Sequence, residues 1–260
     1  MLPEVIVLGH SVAMYGTMIL IGVVLGAITA LALAKRHSIK SEDVLFAFIY
    51  GIIGVVVGGK LLYLIVELPW ILENFELLLS SPELIKHLLT GGFVFYGSLA
   101  GGLLMVYLYC KKYGLPLRDM AMAVIPAIPL MHAFGRMGCF FAGCCYGIEY
   151  SGIFAIVFKN SAIAPNGVPL FPVQILESII NLVIFGILLL FQTKNTSYKR
   201  VTVLYLVMYC ISRFFLEFFR GDSVRGMLWG FSTSQWISMA VLAVLSYFLV
   251  TGRIHKKGAR

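Results

Sequence analysis

Four basic residues lie within or at the end of apolar stretches that are long enough to cross a membrane. They are Lys60, Arg136, Arg213 and Arg220. A charged side chain is unfavourable in hydrocarbon, so such residues usually face the interior of a helix bundle and mark a functional site. Two carboxylates, Glu177 and Glu217, interrupt apolar stretches in the same way. These side chains are the first candidates for a buried polar site.

The depth of these charges places them in the same half of the membrane. At about 1.5 Å of rise per helical residue, each lies in the outer half of its span, together with the polar residues Tyr15, Tyr96 and Gln174. The residues of this layer come from six different spans. Structural salt bridges scattered through the protein would not be expected to lie in one half of the membrane. The layer has four basic groups and two acidic groups, so its positive surplus favours an anionic ligand. The head group of an anionic phospholipid from the outer leaflet fits this chemistry.

Arg213 and Glu217 are four residues apart and therefore share one helix face. Such a spacing allows an ion pair. The pair either orients Arg213 for binding or merely neutralises it so that the helix can insert. Arg220, three residues beyond Glu217, would in the second case still need a partner.

Three cysteines lie close together in the sequence, at Cys139, Cys144 and Cys145. Thiolates and imidazole suit zinc, so a site that also includes His132 is conceivable. However, Cys144 and Cys145 are adjacent, unlike the C-x-x-C spacing that lets two sulfur atoms converge on one ion. We therefore predict no metal. The alternatives are a disulfide that joins Cys139 to one of the other two cysteines, and cysteines that act as small packing residues.

These candidates must be positioned by membrane helices. With 260 residues, 60% of them hydrophobic and 12% charged, the chain has too little polar surface for a water-soluble globule. Seven apolar stretches are near the roughly 20 residues that a spanning helix requires: 11–34, 43–66, 91–110, 120–141, 172–193, 201–219 and 233–251. The sequence thus predicts an all-α polytopic membrane protein with about seven transmembrane helices, forming one domain over residues 1–260.

The placement of charge predicts how the spans are oriented. The loops after the first, third and fifth spans and the C-terminal tail hold thirteen of the twenty Lys and Arg residues. The positive-inside rule makes this side cytoplasmic, so the N-terminus is predicted outside and the C-terminus inside. The net charge of +8 then reflects topology, not nucleic-acid binding. The first span, which Glu4 and no basic residue precede, lacks the basic start of a cleaved signal peptide.

Two further patterns bear on the arrangement of the spans. The outer segment from Glu67 to Thr90 mixes glutamates with Trp70 and leucines, which is typical of a helix lying in the interface. It either covers a lateral entrance or is a plain amphipathic connector. Frequent glycines in the second and third spans predict close helix packing: Gly51, Gly54, Gly58, Gly59, Gly97, Gly101 and Gly102.

The stretches that carry these residues resemble the bacterial prolipoprotein diacylglyceryl transferase family. Six similar motifs follow one another in order along most of the chain. They are Met14-Tyr15-Gly16, Gly58-Gly59-Lys60, GGFVFYG over 91–97, Gly135-Arg136-Met137-Gly138 with Gly143 and Gly147, PVQILE over 172–177, and RFFLEFFR over 213–220. One such motif is weak, but six in register are specific. The family's seven spans and external N-terminus agree with the predicted topology.

The resemblance implies an enzyme of the bacterial plasma membrane. Family members transfer the diacylglyceryl group of phosphatidylglycerol to the thiol of a lipobox cysteine in a secreted prolipoprotein, releasing glycerol phosphate; no cofactor is implied. Arg136 and Arg213 would hold the phosphate, since a guanidinium group binds two phosphate oxygens at once. Glu217 would orient Arg213, and Tyr15 would bond the lipid head group. The other predicted substrate-binding residues are Lys60, Gly97, Gly147, Gln174, Glu177 and Arg220.

The chain departs from the family at the position of the base. Family members carry a histidine, thought to act as the base, where this chain has Tyr96. A free tyrosine titrates near about 10 and a histidine near about 6.5, so Tyr96 is better suited to donate a hydrogen bond. His132, one helical turn before Arg136, is either a relocated base or a histidine satisfied by a neighbouring carbonyl.

Two other functions stay open for the same reason. A paralogue could use the same lipid with another acceptor, because the base position has changed. A non-catalytic protein could bind or transport anionic phospholipid through the same cationic layer.

Overall fold

The computed structural model describes residues 4–7, 10–37, 39–192, 196–222 and 226–251. The helices of these residues are α1 (Met14–Arg36), α2 (Ser41–Glu73), α3 (Phe75–Ser80), α4 (Pro82–Thr90), α5 (Phe95–Lys112), α6 (Leu117–Val124), α7 (Ala127–Ala142), α8 (Val173–Phe191), α9 (Tyr198–Leu216) and α10 (Thr233–Val250). A 3-10 turn over Glu217–Phe219 follows α9. Short antiparallel pairs join β1 (Glu4–Val7) to β2 (His10–Ala13), β3 (Ile156–Val157) to β4 (Pro169–Leu170), and β5 (Met227–Leu228) to β6 (Phe231–Ser232).

Among the residues that the structure describes, six helical segments are long and apolar enough to cross a membrane. They are Met14–Arg36, Ser41–Glu73, Leu117–Ala142, Val173–Phe191, Tyr198–Phe219 and Thr233–Val250. The prediction of an all-α polytopic membrane protein is thereby confirmed. The remaining predicted span, 91–110, corresponds to α5, an 18-residue helix that ends in two lysines and is not among the six.

The orientation of the termini stays a prediction. Part of the basic side on which it rests lies outside the described residues, namely Lys194, Arg253, Lys256, Lys257 and Arg260.

The first and fourth predicted spans differ in detail from the helices. The first apolar run begins with β2, which pairs with β1 in the register Glu4↔Ala13, and α1 starts only at Met14. Half of the eight paired residues of this hairpin are β-branched, and such residues favour strands. The fourth span is divided into α6 and α7 around Pro126, because proline lacks the N–H that a continuous helix needs.

The described residues group into two compact units. The first consists of residues 1–33 and 121–260, and the second of residues 34–120. The single domain predicted for 1–260 stays a prediction. In the first unit α8 packs against both α7 and α9, and α9 packs against α10. Its apolar core contains Met122, Ile184, Leu188 and Val201.

In the second unit α2 and α5 pack along their glycines. A Cβ atom at Gly101 would lie 2.2 Å from the carbonyl oxygen of Gly54, and one at Gly97 would lie 2.4 Å from that of Gly58. The backbones are therefore in direct contact, as the glycine pattern predicted. The segment predicted to lie in the interface begins instead as the end of α2, which continues to Glu73, and it goes on as α3 and α4.

Candidate active site

A buried cluster of ionisable side chains joins three helices of the first unit. α7 contributes His132 and Arg136, one turn apart on the same face. α8 contributes Glu177, and Arg213 comes from the last turn of α9. The structure therefore brings together four residues that the sequence identified separately.

Glu177 is the centre of the cluster. It is 2% exposed. Its Oε1 lies 3.0 Å from Arg136 Nε and 3.6 Å from His132 Nε2, and its Oε2 lies 3.9 Å from Arg213 Nη1. A buried carboxylate is tolerated only beside compensating charge. Here the carboxylate lies between two guanidinium groups, which supply that compensating charge.

His132 is an acceptor for Arg136. The single hydrogen on Arg136 Nε is donated to His132 Nε2, at 3.3 Å. Glu177 Oε1 is closer to Nε but lies out of line with this N–H, so its interaction with Arg136 is charge attraction without a hydrogen bond. The Nε2 lone pair of His132 is thus occupied in this geometry. The two roles predicted for His132, a relocated base and a histidine satisfied by a carbonyl, stay predictions, and the contact indicates a third role, in which His132 positions Arg136.

Arg213 makes the ion pair that its spacing predicted. Its Nη2 lies 2.7 Å from Glu217 Oε2 and donates to Ser234 Oγ at 3.2 Å. Its Nη1 is buried and has no hydrogen-bond partner among the described residues. Glu217 thus holds one edge of the guanidinium group, and the donors of Nη1 remain available to a ligand oxygen.

Arg220 pairs with a residue that the sequence analysis missed. Its Nε and Nη2 donate to the two carboxylate oxygens of Asp222, at 3.0 and 2.5 Å. Three arginines in this unit therefore face three carboxylates, Glu177, Glu217 and Asp222. The sequence-based count of charges omitted Asp222, so these three arginines are balanced by three carboxylates among the described residues. The positive surplus predicted for the whole layer, which also includes Lys60 of the second unit, stays a prediction. An acidic residue two positions after Arg220 was the signal that could have revealed the pair.

Three other predicted residues lie around this cluster. The ring of Tyr15 packs against α7, since a Cβ atom at Gly138 would lie 3.2 Å from its Cδ2. The Gln174 amide donates to the carbonyl oxygen of Cys144 at 3.0 Å. Gly147 pairs with Arg220 as a β-bridge, and a Cβ atom there would lie 2.2 Å from the carbonyl oxygen of Phe171. Gln174 and Gly147 thus anchor the loop after α7 beside the arginines.

Lys60, Tyr96 and Gly97 belong to the second unit. Lys60 Nζ donates at 2.5 Å to the carbonyl oxygens of Leu88 and Gly91, at the C-terminal end of α4. A cation at this end of a helix is stabilised by the helix dipole. Tyr96 is 40% exposed in the first turn of α5. The joint action of these residues with the buried arginines stays a prediction.

The three clustered cysteines converge in space. Their sulfur atoms all lie within 4.8 Å of one another, and all three are free thiols. The spacing of Cys144 and Cys145 was expected to keep their sulfur atoms from converging. That expectation is wrong, and the backbone at Cys145 has a positive φ of 54°. Hydrogen bonds from Cys139 and Cys144 lower the pKa of the Cys145 thiol, and Arg136 and Arg220 lower it further. These thiols are the residues of the first unit that could hold a metal ion.

An apolar cleft opens between α7 and α8 beside the charged cluster. Its lining includes Ala133, Met137, Ile175 and Ile179. The one hydroxyl of the lining, that of Ser178, donates to the carbonyl oxygen of Ala133 at 2.9 Å and is therefore satisfied. An apolar cleft thus lies on the same two helices as His132, Arg136 and Glu177.

Comparison with known proteins identifies similar chains. A family model described as prolipoprotein diacylglyceryl transferase matches residues 3–251. The phosphatidylglycerol–prolipoprotein diacylglyceryl transferase of Clostridium tetani is 37% identical over 249 residues, which are 96% of each chain. The phosphatidylglycerol–prolipoprotein diacylglyceryl transferase 2 of Clostridium perfringens is 35% identical over 91% of this chain and 89% of its own. A Bordetella parapertussis relative of the same name is 32% identical over 92% of this chain and 90% of its own.

Proposed function

Because this chain belongs to the prolipoprotein diacylglyceryl transferase family, we propose that it transfers the diacylglyceryl group of phosphatidylglycerol to the cysteine thiol of a prolipoprotein. Glycerol phosphate is the other product. The observation that carries the proposal is the buried pair of guanidinium groups, Arg136 and Arg213, on either side of Glu177 in a chain that matches the family over almost its whole length.

The arginines would act on the phosphate. As the carbon–oxygen bond of the lipid breaks, negative charge grows on the departing phosphate, and fixed cationic donors stabilise it most strongly where water is excluded. Arg213 Nη1, buried and without a hydrogen-bond partner among the described residues, is the donor best placed for this task. Glu217 orients the same guanidinium group from its other nitrogen.

The remaining groups have supporting roles. Acyl chains of the lipid would occupy the cleft between α7 and α8. Tyr15 would contact the head group, and Gly147, Gln174 and Arg220 would shape the loop beside it. By the family resemblance, Lys60 and Gly97 would contact the lipid substrate, and Tyr96 would donate a hydrogen bond to it. The site would face the outer leaflet of a bacterial plasma membrane, where secreted prolipoproteins arrive.

A second candidate rests on Tyr96 itself. The family resemblance implies a histidine, thought to act as the base, at this position, so a chain with tyrosine could be a paralogue that uses the same lipid with another acceptor. Both candidates use the same arginines, so the acceptor distinguishes them.

Transfer measured with purified components tests the proposal. The purified protein is reconstituted in vesicles of radiolabelled phosphatidylglycerol, and a lipobox peptide is added. We expect label on the cysteine peptide and none on the matching serine peptide. We also expect the gene to rescue a strain depleted of its own transferase. Failure of both tests with correctly inserted protein would contradict the proposal, and transfer to another thiol acceptor alone would favour the paralogue.

A further inference from the structure

Three thiols meet in the first unit next to the proposed phosphate-binding arginines. Cys139 lies in the last turn of α7, one turn after Arg136. After the helix ends, the chain folds back so that Cys144 N donates to the carbonyl oxygen of Cys139 at 3.1 Å. The mutual separations of the sulfur atoms, all within 4.8 Å, are close to the spacing of about 3.8 Å that Zn–S bonds of about 2.3 Å give in a tetrahedral site. Small side-chain rotations would bring all three sulfurs into bonding distance of one ion.

The backbone is folded to produce this convergence. Gly143 has a φ of 73° and closes the C-terminus of α7, and Cys145 has a φ of 54°, which is uncommon for a residue other than glycine. Such a conformation is unfavourable by about 1–3 kcal/mol and persists where the surroundings enforce it, often at functional sites. The hydrogen bond from Gln174 to the Cys144 carbonyl oxygen is one such constraint.

The charges nearby suit a metal–thiolate centre. Arg136 and Arg220 both lie within electrostatic range of Cys145. Three thiolates around one divalent ion carry a net negative charge, which these guanidinium groups would offset. All three cysteines are only partly buried, so a fourth ligand can approach. Zinc sites with three protein ligands and one open position are typical of catalysis, whereas structural sites are closed by four.

We propose that Cys139, Cys144 and Cys145 bind one thiophilic divalent ion of the zinc class and leave its fourth position open to the acceptor thiol. The second half of this inference rests on the proposed function. The bound ion would deprotonate the acceptor thiol, a task for which Tyr96 is poorly suited, because a thiol bound to such an ion is deprotonated outright.

The chemical step balances without a redox change. The acceptor thiol gives its proton to solvent as its sulfur binds the ion. An electron pair on that sulfur then forms the carbon–sulfur bond at the glyceryl carbon that carries the phosphate ester. The carbon–oxygen bond breaks, its electron pair leaves with the phosphate oxygen, and the product is glycerol phosphate.

Metal content tests the site independently of activity. The full-length protein is purified in detergent without chelators, and its zinc is measured by mass spectrometry. We expect about one zinc ion per chain and, after exchange with Co²⁺, the charge-transfer and visible bands of a tetrahedral cobalt thiolate. Cys139→Ser and Cys145→Asn should lose both signals. Asparagine is chosen at 145 because it tolerates positive φ while removing the sulfur.

A matched control uses a thiol outside the cluster. Cys110→Ala removes a buried cysteine of α5 and should keep the metal. Elution as a single detergent-bound species and a melting temperature equal to that of chelator-treated wild-type protein ensure that a metal-free variant is folded. Wild-type protein without zinc and without cobalt–thiolate bands would overturn the site, as would a disulfide between Cys139 and either neighbour in intact membranes.

Binding of an acceptor peptide tests whether the fourth position of the ion is open. A lipobox cysteine peptide, but not its serine analogue, should shift the cobalt spectrum. Transfer activity that persists unchanged in zinc-free Cys145→Asn would refute thiol activation while leaving the proposed function intact. Zinc binding with a peptide-induced spectral shift, but without any transfer in the wild type, would support the metal site and refute the proposed function instead.

Discussion

Glu177 is a buried carboxylate at the centre of the charged cluster of the first unit. Its carboxylate lies between the guanidinium groups of Arg136 and Arg213, at 3.0 and 3.9 Å. Removing either partner leaves buried charge uncompensated, which is strongly destabilising. A lipid phosphate would have to share these arginines with Glu177, so binding and stability are linked at this residue.

Arg136→Ala and Arg213→Ala should each slow transfer from phosphatidylglycerol by about a hundredfold or more, since a lost contact to developing negative charge is worth about 2.7–4 kcal/mol. The measurement is the rate per inserted protein. Arg136→Lys keeps a positive charge beside Glu177 but loses the planar guanidinium group that binds two phosphate oxygens at once. This variant should therefore insert normally and still transfer slowly. Arg118→Ala, at the exposed start of α6, is the control. Near-normal rates in both alanine variants would exclude these arginines from the site.

His132 is expected to act through Arg136. His132→Gln keeps an oxygen that can accept the Arg136 Nε–H, so this variant should remain active. His132→Leu should be slower by about ten- to a hundredfold, as expected for a lost charged hydrogen bond of about 1.5–3 kcal/mol. The comparison is made over a range of pH. If both variants are equally inactive and both lose the acidic limb of the pH–rate profile, His132 is the base and not a positioning residue.

Tyr96 is expected to donate a hydrogen bond. Tyr96→Phe removes the hydroxyl and should reduce the rate. Tyr96→His introduces the histidine that the family resemblance implies at this position, so this variant should be as active as the wild type or faster. Transfer to a lipobox peptide is measured for both. A fully active phenylalanine variant would remove Tyr96 from the mechanism.

At the scale of elements, the second unit depends on how closely α2 and α5 approach. No side chain fits where a Cβ atom would lie 2.2 Å from a backbone oxygen, as at Gly101. The loop after α7 in the first unit shows the same dependence, because a Cβ atom at Gly147 would meet the backbone of Phe171. Glycine at 101 allows α2 and α5 to contact each other. Glycine at 147 allows the β-bridge to Arg220.

Gly101→Ala should destabilise the protein by about 1–3 kcal/mol, the usual effect of overpacking, and lower its melting temperature in detergent. Gly186→Ala is the matched control, since a Cβ atom there meets nothing within 4 Å. Alanine is favoured over glycine in a helix by about 0.5–1 kcal/mol, so this control should be neutral or stabilising. Equal melting temperatures for the two variants would contradict close packing of α2 and α5.

At the scale of the whole molecule, the distribution of charge sets the orientation in the membrane. A reporter fused after Arg260 should be cytoplasmic, and one inserted between Ser80 and Ser81, in the connection between α3 and α4, should be external. Alkaline phosphatase and green fluorescent protein fusions measure the two sides. An external C-terminus would place the charged residues in the inner half of the membrane and remove the basis for a site in the outer leaflet.

The sequence by itself determined the helices, the family and several members of the site. Apolar stretches of spanning length, charges within them, and the spacing of Arg213 and Glu217 are local properties, and local geometry follows from them. The predicted ion pair is accordingly present at 2.7 Å.

Only the tertiary structure decided which groups meet. Glu177 became the centre of the cluster because α8 packs against both α7 and α9, and helix pairing depends on side-chain fit between distant segments. Arg220 turned to Asp222 because the chain leaves the helix there in extended form. The cysteines converge where two residues, Gly143 and Cys145, adopt left-handed conformations. These outcomes depend on packing and on single backbone angles, which residue types and spacing alone do not specify.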